Sequence, residues 1–228
     1  PVSWYILKNN PYSMRITPNK EAVDIYSVFK NKEGSEHIAT PISIEVLLKL
    51  HPRTVLEMGG GIGTLTHTLA SHGADVDVYE DNAYCQEELG KNVLNAANYT
   101  LLKDYNIPPP KKEYDLLIVD GATGKKNDGG SIDAVDKILH GLDTVRNVYI
   151  EGGRSAQRTR VRKILKNNYV YTLKNFTGDM KGGLMIYCKK IKNPIVRWAN
   201  YIFWEIVEWT AIKNFLVYRF RKYFRLGR

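Results

Sequence analysis

Short β-rich runs alternate with longer segments of helical period along most of this chain, and that alternation limits the fold more than any other feature. The strand-like runs are "TVLEM" (54–58), "DVDVYE" (75–80), "YTLLK" (99–103), "YDLLIVD" (114–120), "NVYIE" (147–151), "YVYTLKNF" (169–176) and "LMIYCKK" (184–190). Helical candidates cover 64–72, 82–97, 131–141 and 155–167. Strands that alternate with helices predict βαβ units around a parallel sheet. Only "TGDMKGG" separates the last two strands, so they are expected to pair antiparallel across a glycine-bearing turn. The sequence therefore reads as five βα units followed by a terminal hairpin.

Ahead of this core, residues 19–50 read as helical, with Pro41 placed to start the helix "PISIEVLLKL". "PPPKKEY" (108–114) is a stiff connection into the fourth strand. "GATGKKNDGG" (121–130) is a long glycine-rich loop at that strand's carboxyl end, the edge where open α/β sheets bind ligands.

The stretch "VLEMGGGIGTLTHTLASHG" (55–73) holds five of the chain's eighteen glycines. Glycine loses more backbone entropy on folding than any other residue, so such a cluster needs a reason. It follows the first strand and opens the first helix, where glycine lets the backbone approach a ligand and the helix offers free N–H groups. Gly59, Gly61 and Gly63 form G-x-G-x-G. The third glycine comes one residue too early for the dinucleotide fingerprint, and no Lys-Ser or Lys-Thr closes a phosphate P-loop.

"EMGGGIG" (57–63) resembles the first motif of the class I methyltransferases that use S-adenosylmethionine, over a span of roughly 37–190. The resemblance implies a Rossmann-like, doubly wound seven-stranded sheet, mostly parallel with an antiparallel C-terminal hairpin. The expected divisions are a helical N-terminal cap (1–50), the cofactor-binding core (51–192) and a basic, aromatic, helical appendage (193–228). It implies S-adenosyl-L-methionine as cofactor, seated over Gly59, Gly61 and Gly63. Glu80, seventeen residues after Gly63, stands where the family's acid accepts both ribose hydroxyls, a task suited to an acceptor-only carboxylate. Asp104 is similar to the residue near the adenine amino group, and Glu57 to the acid that helps to hold the methionine ammonium group.

Methyl transfer is an in-line displacement, so the protein must align the nucleophile and, for a hydroxyl, remove its proton. Asp120 ends "LLIVD" and faces the pocket in the family, in contact with cofactor or acceptor. Glu151 ends the fifth strand in "YIEGGR", with Arg154 close behind. His37 in "SEHIATP" precedes the core, where many relatives place capping residues. These four are the catalytic candidates; His67 and His72, on the first helix, read as structural. "DLLIVDGATG" and "IEGGR" also resemble the magnesium-dependent catechol-type enzymes, but Glu151-Gly152 replaces their paired acids, so no metal is expected. The expected reaction is O-methylation of a small-molecule, sugar or lipid-linked glycan hydroxyl. Two alternatives stay open: transfer of another group, such as aminopropyl, and a catalytically silent binding module.

Net charge is +9, and it is not evenly spread. Residues 1–188 carry 23 Lys/Arg against 22 Asp/Glu, whereas residues 189–228 carry ten against two. Because the basic charge lies outside the catalytic segment, and no N-P-P-Y or Pro-Cys motif is present, nucleic acid is not an expected partner. The tail alternates charges with Trp, Tyr and Phe. At 100° per residue, Trp198, Ile202, Phe203, Ile206 and Trp209 share one side of a helix, and Lys213 interrupts the stripe, where a second segment is expected to start. Two readings of the tail stay open: an anionic membrane surface, which suits basic amphipathic helices, and a homodimer interface. Two distant cysteines and no visible signal peptide give a cytoplasmic expectation, peripheral on the inner face of a membrane if the first reading holds.

Overall fold

The structure is a computed structural model that describes residues 13–93, 98–120, 131–142, 144–152, 155–178 and 180–225. In chain order the elements are β1 (Ser13–Arg15), α1 (Lys20–Lys30), α2 (Pro41–Leu48), β2 (Thr54–Met58), α3 (Thr64–Ser71), β3 (Asp75–Tyr79), α4 (Ala83–Val93) and β4 (Tyr99–Leu102). They continue with β5 (Tyr114–Val119), α5 (Ser131–Gly141), β6 (Val145–Glu151), α6 (Ser155–Leu165), β7 (Tyr169–Thr177), β8 (Gly183–Lys190) and α7 (Pro194–Arg225). One 3-10 turn, Ser35–His37, lies between α1 and α2.

The strands form one sheet in the order β1-β7-β8-β6-β5-β2-β3-β4. All pairings are parallel except those of β8, which runs antiparallel to both β6 and β7. The terminal hairpin is thus in the sheet as expected. Three features depart from the sequence reading. The sheet has eight strands rather than seven, because the three residues of β1 add to the edge of β7. A run that short carries no period to read, and its place comes from pairing Ser13 with Asn175 and Arg15 with Thr177. No helix joins β4 to β5; turns and the proline run cross that gap. Finally, α7 continues through Lys213 as a single helix of 32 residues.

Strand alternation builds a core on each face. Val55, Val76, Val78, Leu116 and Ile118 point to the layer of α1 to α4. Leu56, Met58, Leu117, Val119, Val148 and Ile150 point to the layer of α5 and α6. Period two sends neighbours to opposite faces, so runs buried on both faces read as continuous aliphatics. Each fully buried Leu, Ile or Val contributes roughly 1.5–3 kcal/mol. Local signals set the helix starts: Asn19 caps α1 through Ala22 N–H, and Thr40 caps α2 with Pro41 just inside.

The chain leaves β2, winds outward through β3 and β4, then returns to β5 on the other side of β2. That reversal opens a crevice at the carboxyl ends of β2 and β5, the usual ligand position in such sheets.

Candidate functional site

β2 ends in Glu57-Met58, and the glycine turn begins at once. Gly59, Gly61 and Gly63 have φ of 88°, 53° and 92°, the left-handed region that side chains rarely adopt. Gly59 and Gly60 N–H both donate to the Tyr79 carbonyl at the end of β3, at 2.9 and 3.0 Å. The Gly63 carbonyl accepts the His67 N–H at 2.8 Å and so starts α3. Space is as restrictive as the dihedrals. A Cβ on Gly60 would lie 2.5 Å from Val78 Cγ2, and one on Gly61 only 2.2 Å from the His37 carbonyl oxygen. Glycine is required here by both conformation and contact.

Glu80 closes the turn from the side. Its Oε2 accepts the Gly61 N–H at 2.7 Å, its Oε1 accepts the Asn82 N–H at 2.9 Å, and its own N–H donates to the Leu102 carbonyl. It is buried, and burial raises its carboxyl above the usual range while those two N–H bonds oppose the shift. His37 also favours the charged form of Glu80, although its own side chain is 44% exposed. The structure thus brings His37, Gly61 and Glu80 together: the His37 carbonyl abuts the turn and accepts the Ile62 N–H at 3.4 Å.

Glu57 is 1% exposed and accepts the Thr66 hydroxyl at 2.6 Å. Burial pushes its carboxyl up to about 8, the Thr66 bond opposes this, and the charges of Glu80 and Glu151 add to it. Asp120 follows β5, and its N–H donates to the Met58 carbonyl at 2.9 Å, so it flanks the crevice opposite Glu80. Asp104 is exposed, and its Oδ1 accepts both the backbone and the side-chain N–H of Asn106, at 2.8 and 3.0 Å.

Glu151 is buried with other work. Its Oε1 accepts the Thr40 N–H at 3.0 Å and the Ser43 hydroxyl at 2.7 Å, and Ser43 Oγ lies 2.9 Å from Tyr149 OH. Both the N-terminus of α2 and the segment carrying His37 are therefore tied to the end of β6. Arg154 and the loop 121–130 lie outside the described residues. His72 bridges α3 to α1 through Glu21, at 3.0 Å.

Tyr105 was not singled out from the sequence. It stacks on Tyr79 with centroids 5.4 Å apart and planes 18° from parallel. Burial, followed by the charges of Glu80, Asp81, Glu57 and Asp120, drives its phenol strongly toward the neutral form. An aromatic face among those acids, just after β4, suits a planar ring. Its only sequence signal is a tyrosine next to Asp104. Among the described residues, no group of three or more His, Cys, Asp or Glu is placed to hold a metal ion.

No protein-family model and no curated protein sequence matches the chain. Solved structures do. The N-methyltransferase NodS from Bradyrhizobium japonicum WM9, in complex with S-adenosyl-L-homocysteine, superposes with a TM-score of 0.55 at 13% identity, covering 76% of this chain and all of that one. The tRNA (m1A58) methyltransferase TrmI from Aquifex aeolicus gives 0.54 at 17% identity, over 74% of this chain and 76% of its own. The chain has the fold of the class I methyltransferases. Since TrmI is a tRNA enzyme, the fold does not support the expectation that nucleic acid is excluded as a partner.

Proposed function

We propose that this protein is an S-adenosylmethionine-dependent methyltransferase acting on an acceptor hydroxyl, of a small molecule, a sugar or a lipid-linked glycan. The observation that carries this reading is the buried Glu80 carboxylate, locked to Gly61 N–H at the mouth of a turn with three left-handed glycines. The residues fit the cofactor. Gly60, Gly61 and Gly63 let the turn pack tightly on Val78, Leu89, Val93 and the His37 carbonyl at the carboxyl end of β2, and beside it Glu80 supplies a carboxylate for two hydroxyl donors. Glu57, which burial holds protonated, would be drawn to its charged form by a neighbouring ammonium group; Tyr105 and Asp104 would flank the adenine, and the His37 segment would cover the turn. When bound, the cofactor supplies a methyl group made electrophilic by its sulfonium.

The chain's own contribution is then orientation and proton removal. Asp120 and His37 lie on two sides of the turn, and each has a group able to take a hydroxyl proton: the Asp120 carboxylate or the His37 imidazole. Glu151 acts by holding α2 and the covering segment, a positioning duty that fits its two hydrogen bonds. Water is kept from the inner wall by the burial of Glu57, Thr66 and Ile62.

Isothermal calorimetry on the whole chain tests the cofactor: S-adenosylmethionine should bind, and preference for NAD would overturn the reading. Incubating cell extracts with methyl-labelled cofactor then tests the reaction. Label transferred to an acceptor, with release of S-adenosylhomocysteine, is the expected result. Binding without turnover on any fraction would instead indicate a silent module.

A further inference from the structure

The longest element in the chain serves none of this. α7 begins at Pro194, capped by the Asn193 side chain, which accepts the Ile195 and Val196 N–H groups at 2.9 and 3.3 Å. One face docks on the body. Asn200 Nδ2 donates to the Lys166 and Tyr169 carbonyls, Trp204 stacks on Tyr171 at 4.5 Å, and Glu205 pairs with the buried Lys166 at 2.6 Å. The opposite face touches little. Ile195, Trp198, Ile206 and Trp209 are 74%, 68%, 59% and 71% exposed. At 100° per residue they fall with Ile202 on one stripe; Asn200 and Trp204 lie on the other side of the helix, and Glu205 lies at the edge of the stripe.

We propose that this stripe rests on an anionic lipid bilayer surface, with α7 lying along it. Charge selects that occupant. Residues 189–228 carry ten Lys/Arg against two Asp/Glu, whereas the rest of the chain is nearly neutral. Lys213, Arg219, Arg221, Lys222 and Arg225 follow the exposed stripe within one helix. A second copy of the chain would bring that charge against itself; an anionic leaflet neutralises it. The stripe pairs isoleucines with tryptophans. Isoleucine offers nothing for a nucleic-acid base to stack on, but both residue types settle at the headgroup–acyl boundary. At 1.5 Å per residue the helix is about 48 Å long, yet among the described residues no helix is long and apolar enough to cross a membrane. Lying in the interface plane satisfies both facts.

Vesicle flotation of the full chain tests this. It should float with phosphatidylcholine–phosphatidylserine vesicles and remain unbound with phosphatidylcholine alone. Replacing Lys213, Arg219, Arg221 and Lys222 with Gln should lower the partition coefficient on the order of fivefold per residue, and raised salt should do the same. Trp198→Ser with Trp209→Ser should also release the chain. These side chains touch little of the body, so the double variant should keep the parent's melting temperature and cofactor affinity, which separates this proposal from the one above. No flotation with anionic vesicles overturns it. So does a solution dimer that dissociates on the double tryptophan substitution, or RNA binding that survives it while vesicle binding is absent.

Discussion

The Gly61 N–H donates to Glu80 Oε2 across 2.7 Å, joining two residues nineteen apart in sequence at the carboxyl ends of neighbouring strands. The bond shapes the turn and fixes the carboxylate that would receive the ribose. Glu80→Ala should therefore weaken S-adenosylmethionine binding by about 2–3 kcal/mol, the worth of two hydrogen bonds to a charged acceptor. Calorimetry reads this directly. Unchanged affinity would refute the assignment of Glu80.

Gly61 and Gly73 make an internal comparison. Both have positive φ, but a Cβ on Gly73 meets nothing within 4 Å, whereas one on Gly61 meets the His37 carbonyl. Gly73→Ala should cost only the left-handed penalty, about 1–2 kcal/mol. Gly61→Ala adds a backbone clash, so it should destabilise more and lose cofactor affinity at least tenfold. Thermal melts and titrations of the two variants, side by side, decide this. Equal effects would mean that the His37 segment does not press on the turn.

The doubly wound sheet and its hairpin were legible because buried strands and amphipathic helices write their periods into the sequence. The glycine turn was legible because its φ values leave no other residue type. Other features rest on contacts between distant segments, which no local pattern encodes. β1 exists only through its pairing with β7. Tyr105 joins the site because it stacks on Tyr79 from another strand's end. Glu151 looked like a strand-end candidate for chemistry, and nothing local marks Thr40 and Ser43, more than a hundred residues earlier, as its partners. Lys213 interrupts a stripe by period, yet one charged residue on a helix whose face is already exposed gives no reason to stop.

Glu57 should write a pH signature into stability. Its carboxyl is raised from an ordinary 4.5 to about 8 by burial, so the folded protein holds a proton there that the unfolded chain releases above 4.5. That contribution is complete below about pH 4.5 and is lost as pH rises through 8. Between these limits the slope approaches about 1.4 kcal/mol per pH unit. Glu57→Gln removes the titrating proton. The stability of the parent relative to this variant, from urea melts, should fall steadily from pH 5 to 8; a flat difference would contradict the burial of a neutral carboxyl.

Glu151 should separate positioning from chemistry. Glu151→Ala strands the Thr40 N–H and Ser43 hydroxyl, at a cost of roughly 2–3 kcal/mol. Glu151→Gln keeps an acceptor oxygen in place and should recover most of that stability. If Glu151 only holds the covering segment, the Gln variant also keeps kcat, with any loss in KM. A kcat collapse in a stable Gln variant would make Glu151 a proton acceptor instead.

Asp120 and His37 carry the last prediction, because they reach the turn from opposite directions. Asp120 is fixed by its N–H bond to the Met58 carbonyl at the switch point, on rigid strand backbone. His37 sits on a 3-10 turn with a half-exposed ring, held by its carbonyl contact with the turn and by the Glu151 tether three residues later. A proton acceptor on the strand end is the better preorganised of the two, and general-base catalysis contributes typically 10²–10⁴-fold. Asp120→Asn should then lower kcat by about that factor and leave cofactor affinity largely intact. His37→Ala removes only a side chain, since its carbonyl remains, and should lower kcat less. If His37 is the base, the order reverses, and the acidic limb of the kcat–pH profile vanishes in His37→Ala. Full kcat in both variants on the true acceptor would mean that neither takes the proton.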